Sequence, residues 1–359
     1  MEDNKTLRVL ITIPDIKSSG GVTALYKILK MDHEANCEYF NVISGKRIKN
    51  FRFIAFIKMY VQFCLKCFRY KIIHLNPSLN RNSYYRDMIL IFIAELMRCK
   101  VIVHWHGWMD SFEAKIGNSK IRKMLFLTTY GRVDLCIVLG TVFKEKLLKL
   151  GYKKKILIET NCFDDSYLKN DNLDKNRKIG NPIRLLFLSR IEKQKGIYIA
   201  IDTLSLLTKK GYNCELIVAG TGNEIESTMK YINDNNLENI IFVGYVSGIE
   251  KHKLLKDSHF LLLPSFYSEG LPLTLLEGMA YGLPIVTRPV GSIKDIIING
   301  ENGYLTESMR PDDYVEIIER LINDKEKYKE ISQKNILKAH SMFLPEKLKK
   351  RLITVYNNI

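Results

Sequence analysis

Two glutamates, Glu269 and Glu277, stand with seven residues between them in the run PSFYSEGLPLTLLEGMAYG at 264–282. An apolar strand pattern over 260–263 ends at Pro264, and a helical pattern opens near Leu271 and Pro272 and runs to Tyr281. Proline suits a first helical turn, where its missing N–H has no partner to lose. Glu269 therefore falls just before a helix start, and Glu277 two turns further on. Free N–H groups and the positive end of the helix dipole favour an anion there, and a diphosphate is a natural one. A capping role for Glu269 and a solvated position for Glu277 account for the same residues without chemistry.

Four further segments carry chemistry-bearing residues at the ends of apolar runs. Segment 189–196, SRIEKQKG, offers a phosphate the planar fork of Arg190 and the point charge of Lys195. Segment 18–22, SSGGV, holds Gly20 and Gly21, which let backbone N–H groups approach an anion closely. In 103–108, VHWHGW, His104 and His106 share a face if the strand continues, and His106 enters the loop if it ends at Trp105. No third ligand follows at a metal-site spacing. In 219–223, AGTGN, Gly220 and Gly222 would let a flat ring approach the backbone. Surface charge, turn geometry or a packed imidazole explains any one of these alone.

The elements that must hold these residues are short runs rich in Val, Ile and Leu, alternating with longer helical patterns. Strands are expected at 7–13, 39–43, 71–75, 100–105, 134–139 and 156–159, then at 183–188, 214–219, 240–243, 260–263, 284–287 and 303–305. Runs apolar on both faces and separated by helices indicate parallel sheets in an α/β architecture. Helices are expected at 141–150, 196–210 and 272–281, each closed by a glycine: Gly151, Gly211 and Gly282. A length of 359 residues favours two domains. The polar stretch 171–182 reads as a linker between a domain at 1–170 and one at 183–343, and 344–359 resumes a helical pattern.

Charge divides the chain unevenly. Residues 1–170 hold 29 Lys and Arg against 15 Asp and Glu, and residues 171–359 hold 26 against 24. No acidic residue lies between Glu38 and Asp87, whereas Lys46, Arg47, Lys49, Arg52, Lys58, Lys66, Arg69, Lys71, Arg81 and Arg86 are basic. Read as a helix, 51–70 places Arg52, Lys58, Gln62, Lys66 and Arg69 on one arc beside Phe51, Phe53, Phe56, Ile57, Tyr60 and Phe63. That pattern suits an interfacial helix on an anionic membrane, and it equally suits a helix whose apolar face packs on a sheet. No apolar run reaches the roughly 18–20 residues of a membrane span, and the start does not read as a signal peptide. A cytoplasmic protein, peripheral at the inner face of the membrane, is the expectation. The seven scattered cysteines fit reduced thiols. No helix-turn-helix, zinc or RNA-binding signature accompanies the high pI, so nucleic acid is not an expected partner.

Together these segments resemble glycosyltransferase family 4, also called group 1, whose members have the GT-B fold. The Glu269–Glu277 spacing matches its E-x7-E pattern, SRIEKQKG its basic loop, and AGTGN and Phe242-Val243-Gly244 follow in order. Gly20-Gly21 and HWHG match more loosely. Gly107 stands where many relatives carry Asp, and Asn161-Cys162-Phe163-Asp164 matches the usual N-G-V-D in part. The resemblance implies two Rossmann-like domains facing each other across a cleft, with the C-terminal helix returning to the first. It implies a retaining transferase that moves a hexose-type sugar from a nucleotide diphosphate, with a UDP-sugar favoured and a GDP-sugar possible. It implies a saccharide acceptor, and the basic first domain fits one that is lipid-linked, in bacterial surface polysaccharide synthesis.

By the same resemblance Arg190 and Lys195 bind the diphosphate, with the amides after Gly270, at Leu271, on the phosphates. Glu269 holds donor-sugar hydroxyls and Glu277 the ribose. Gly220 and Gly222 lie near the base, Gly21 closes over the diphosphate with Gly20 beside it, and His106 touches the sugar near its reacting centre. No D-x-D pair occurs in the chain, so metal independence is expected, with no cofactor beyond the donor. Rival readings are a nucleotide-sugar epimerase of the same fold and a non-catalytic sugar-binding scaffold on the membrane.

Overall fold

The computed structural model describes residues 8–18, 20–43, 52–168, 177–267 and 269–359. Leu7, Ser19, Lys46, Arg47, Lys49, Phe51, Ser268 and the linker's first part, 171–176, lie outside the described residues, as does the side chain of Arg52. The chain forms two compact units. One comprises Met1–Cys162, Ser268–Leu271 and Pro345–Ile359, and the other Phe163–Tyr267 and Pro272–Leu344.

The first unit contains β1 (Val9–Pro14), β2 (Cys37–Val42), β3 (Ile72–Leu75), β4 (Ser78–Leu79), β5 (Lys100–Trp105), β6 (Gly107–Trp108), β7 (Leu135–Val138) and β8 (Ile156–Ile158). Six of them make a parallel sheet in the order β2-β1-β3-β5-β7-β8, and β4 and β6 form a separate two-stranded pair. The central strands are buried on both faces, which is why they read as unbroken apolar runs. Chain progress reverses between β1 and β3, so the loops after those strands flank a topological switch point, where open α/β sheets place ligands.

The helix Pro345–Asn357 belongs to this unit, and its buried Leu348, Leu352 and Tyr356 recur every fourth residue along one face. Tyr356 shares a 2.6 Å hydrogen bond with His74 Nδ1, Arg351 forks onto Glu159 at 2.9 and 3.0 Å, and Lys349 pairs with Glu34 at 3.2 Å. The tail is thus held by one buried and two partly exposed polar contacts as well as by its apolar stripe.

The second unit contains β9 (Ile183–Leu188), β10 (Cys214–Ala219), β11 (Ile240–Gly244), β12 (Phe260–Leu263), β13 (Ile285–Thr287) and β14 (Gly303–Leu305). They form a parallel sheet in the order β11-β10-β9-β12-β13-β14, with its switch point between β9 and β12. Its core joins Leu185, Phe187, Leu216, Val218, Phe260 and Leu262 to Ile197, Ala200, Ile201 and Leu204 of the helix Ile197–Lys209.

Three boundaries differ from the sequence reading. The first unit ends at Cys162 rather than 170, because Phe163 N–H bonds to Phe343 O at 3.2 Å and its ring meets His340. The described end of the expected linker is anchored: Arg177 donates to Tyr281 O at 2.9 Å and Gly180 N–H to His259 Nε2 at 2.9 Å. Pro272 occupies the cap position before the helix Leu273–Ala280 rather than its first turn.

The helix Arg52–Cys67 has two apolar faces. Met59, Phe63 and Cys67 pack inward, Phe63 against Phe40 at 5.4 Å between ring centres. Phe53, Ile54, Ile57, Val61 and Leu65 are exposed, Phe53 by 78%. The sequence reading offered either a basic strip with apolar flanks or an apolar face packed away. The helix does both, burying one stripe and presenting another. Lys66 of the expected strip is occupied by Glu38 at 2.5 Å.

Candidate active site

In the second unit three loops at the C-terminal ends of adjacent strands are locked together by backbone contacts. The loop after β9 and the loop after β10 are joined by Ile191 N–H to Thr221 O at 3.0 Å and Glu224 N–H to Ile191 O at 3.1 Å. The loop after β12 joins the same platform through Phe266 N–H to Gln194 O at 3.0 Å. Arg190, Lys195, Gly220 and Gly222 are thereby gathered at one edge.

Glycine at 220 and 222 has a cause within the chain. A Cβ on Gly220 would stand 1.9 Å from Ser189 O, and one on Gly222 2.0 Å from Ile191 O. These glycines are needed so that two loops of this chain can touch. Gly196 turns in the left-handed region at φ 82° with Pro264 O pressed against it, which seats the loop and carries Lys195 inward. Lys195 is buried, with Nζ 4.9 Å from the centre of the Tyr267 ring. Arg190 is well exposed and paired with Glu192 at 2.5 Å. An exposed pair of this kind contributes at most about 1 kcal/mol, so an arriving phosphate can take the guanidinium over.

Glu277 is not a solvated helix residue. It is 3% exposed, in a helix buried from Leu275 to Ala280, and its Oε1 accepts from Lys251 Nζ at 2.5 Å. Burial works against the charge of Lys251, but the carboxylate beside it outweighs this and holds the ammonium above its ordinary range. Glu269 is also largely buried, and it is not the helix cap, since Pro272 holds that position.

In the first unit the site is built around His106. Asn76, just past β3, donates through Nδ2 to Thr12 O at 2.9 Å, so its Oδ1 is the acceptor. That oxygen receives Tyr26 O–H at 2.9 Å and lies 2.8 Å from His106 Nε2. His106 therefore carries its proton on Nε2 and keeps a lone pair on Nδ1. Burial pushes its pKa down to about 3, so the ring is neutral. The His104 ring lies 4.0 Å from it and His74 stacks beyond at 5.6 Å. Burial and then the neighbouring imidazoles depress both, His74 to about 3.

Gly270 lies against the same residue: a Cβ there would stand 2.4 Å from His106 O. Asn161 Nδ2 donates to Leu271 O at 2.7 Å and fixes the next residue. Gly20 precedes the helix Gly21–Leu29 with φ 156°, and among the described residues no atom beyond the chain neighbours comes within 4 Å of where a Cβ would stand on Gly20 or Gly21. Among the described residues no three His, Cys, Asp or Glu side chains are placed to hold a metal ion.

Lys251, Asn76, Tyr26, Thr12 and Tyr267 were not found from sequence. Asn76 had a signal, standing directly after the expected strand 71–75 at the switch point, and Tyr267 stands inside the run 264–282. The others reach the site only through long-range packing.

Residues 169–338 match the family model described as glycosyl transferases group 1. An uncharacterized glycosyltransferase of Haemophilus influenzae is 30% identical over 259 residues, covering 69% of this chain and 68% of that one. The chain belongs to the group 1 glycosyltransferases. The capsular polysaccharide biosynthesis glycosyltransferase CapM of Staphylococcus aureus is 26% identical over 228 residues, 62% of this chain and 58% of CapM. Several curated relatives of this group 1 chain are matched over only 40–58% of their own length. Among solved structures, that of Anabaena HepE in complex with UDP-glucose superposes with a TM-score of 0.78, covering 98% of this chain and 100% of HepE at 16% identity. That likeness establishes the fold as GT-B.

Proposed function

We propose that this chain transfers a hexose-type sugar, with retention and without a metal, from a UDP-sugar to a lipid-linked saccharide acceptor in bacterial surface polysaccharide synthesis; a GDP-sugar is the second donor candidate. The observation that carries the reading is the basic loop platform at the switch point of the second unit, with buried Lys195 and the Glu277–Lys251 pair. UDP-glucose bound to HepE supports the donor, and the capsular assignment of CapM supports the setting.

The chemistry follows charge. As the bond from the anomeric carbon to the diphosphate breaks, negative charge grows on the departing oxygen. Arg190, Lys195 and the amides from Gly270 and Leu271 stabilise it, and groups of this kind supply about 3–4 kcal/mol each in a transition state. The acceptor hydroxyl attacks from the face the diphosphate leaves, and its proton passes to the departing oxygen. Glu277 takes the ribose hydroxyls and Glu269 those of the sugar. Neutral His106 accepts a hydrogen bond from a sugar hydroxyl at Nδ1 and adds no charge. Gly20 and Gly21 lie against the diphosphate, and Gly220 and Gly222 hold the loops that border the base.

The membrane side of the reading rests on the first unit. Exposed Phe53, Ile57, Val61 and Leu65 lie on one helix with Lys58, and exposed Arg69 stands in the turn just after it. Each cation near an anionic surface contributes about 1 kcal/mol, to which apolar insertion adds. No described helix is long and apolar enough to cross a membrane.

The test is slow donor hydrolysis across a panel of nucleotide sugars, with and without EDTA. Release of nucleotide diphosphate from one sugar, unchanged by EDTA, is expected. No release from any sugar favours the binding scaffold, and loss of release in EDTA refutes metal independence.

A further inference from the structure

A cavity of about 570 Å³ opens in the first unit between the helices Arg52–Cys67 and Arg81–Leu96. Its wall has two characters. Phe56, Tyr60 and Tyr85 contribute aromatic rings, and the first two stack at 6.2 Å and 28°. Asn80, Asn82 and Ser83 contribute amides and a hydroxyl, and Arg81 stands exposed at the rim. Arg86 is a fixed part of the wall. It forks onto Asp87 with both bonds at 2.7 Å and donates to Ile43 O at 3.1 Å, so its charge is matched within the protein.

Rings beside amides and hydroxyls form the lining that receives a saccharide, whose C–H face stacks while its hydroxyls find polar partners. The volume lies within the roughly 300–1,000 Å³ of small-molecule sites.

The cavity does not end in polar surface. Ile89 lines it and is followed by Phe92 and Leu96, all exposed, one and two turns along the same helix. On the neighbouring helix Ile57 and Val61 are exposed as well. The two helices run in the same direction: Tyr60 O–H meets Arg86 O at 3.4 Å beside the cavity, and Cys99 Sγ meets Cys67 O at 3.6 Å beyond the far end. An apolar track therefore leaves the cavity, about 10 Å long from Ile89 to Leu96.

We propose that the cavity is a subsite for the saccharide head of an amphiphile whose hydrocarbon chain lies along this two-helix track. The proposal deepens the acceptor side of the function above and rests on that reading. A bilayer or a second copy of the chain would use the track alone. The polar, ring-lined cavity at its end is what selects a headed lipid.

Titration calorimetry of the full-length protein tests it, with decyl maltoside below its micelle concentration, maltose and decyl phosphate as probes. Decyl maltoside is expected to bind at least tenfold more tightly than maltose. Ile89→Asp with Phe92→Asp should bring the two level, and Arg81→Ala with Asn82→Ala should weaken decyl maltoside severalfold. Uridine diphosphate should raise the melting temperature of every variant as it does that of wild type, which keeps the fold and the donor side under control. Equal binding of decyl maltoside to wild type and the Ile89/Phe92 variant, tighter binding of decyl phosphate, or no binding of any probe overturns the subsite. If uridine diphosphate fails to stabilise wild type, it is the transferase reading that falls.

Discussion

Removing Lys251 tests whether the buried carboxylate at 277 is held in place for a ligand. Glu277 is 5% exposed at its side chain and Lys251 24%, and they meet at 2.5 Å. Replacing Lys251 with Met keeps the stem and leaves a carboxylate without its cation. Breaking a buried pair from one side costs about 3–5 kcal/mol. In a unit of this size each kcal/mol lowers the melting temperature by about 2–4 °C, so a drop of roughly 6–20 °C is expected. A ribose needs the carboxylate as an acceptor for two hydroxyls, and the ammonium fixes where that carboxylate sits, so uridine diphosphate should bind Lys251→Met more weakly than wild type. Calorimetric Tm and a titration of uridine diphosphate measure both effects. The double variant Lys251→Met with Glu277→Gln should recover most of the stability without recovering the nucleotide affinity. A single variant within 1 kcal/mol of wild type, with unchanged nucleotide binding, would show that the pair neither stabilises the helix nor serves the ligand.

Arg190→Ala and Lys195→Ala should each lower transfer by about 10²–10³-fold, and initial rates within twofold of wild type for both would remove them from the site. The three neutral imidazoles make the fold acid-sensitive. His74 and His106 fall to about 3 and His104 lies well below its ordinary value, so the unfolded chain binds protons below pH 6.5 that the folded chain refuses. Stability is then lost as pH falls from 6.5 toward 3, by as much as about 4 kcal/mol per pH unit near pH 5. Urea midpoints across that range measure the slope, and His104→Phe should reduce it by roughly a third; an unchanged slope would mean the stack already takes up protons. Co-sedimentation should favour anionic over neutral vesicles, weaken with salt, and be lost in Phe53→Asp with Leu65→Asp; binding that this variant retains would refute the exposed stripe as the contact.

The sheets were legible in the sequence because a strand buried on both faces has no polar side to interrupt it. The expected runs 100–105, 183–188, 214–219, 260–263 and 303–305 coincide with strands, and the others lie within about two residues of theirs, a usual margin for element ends. Helix ends at Gly151 and Gly282 were legible for an equally local reason: both residues sit at positive φ, 99° and 73°, where a side chain is strained. The Glu269–Glu277 spacing and the basic loop were visible as motifs, since each lies within one strand-to-helix turn. What those residues touch was not visible. Lys251 reaches Glu277 from another helix, Asn76 reaches His106 from another strand, and Ser189 and Ile191 decide why 220 and 222 must be glycine. The helix Arg52–Cys67 makes the same point, since apolar residues on every side but the basic strip fit either a buried helix or an interfacial one. Only packing against the sheet decides which stripe turns inward, because burial is a property of the neighbours a side chain meets and a helical repeat does not name them.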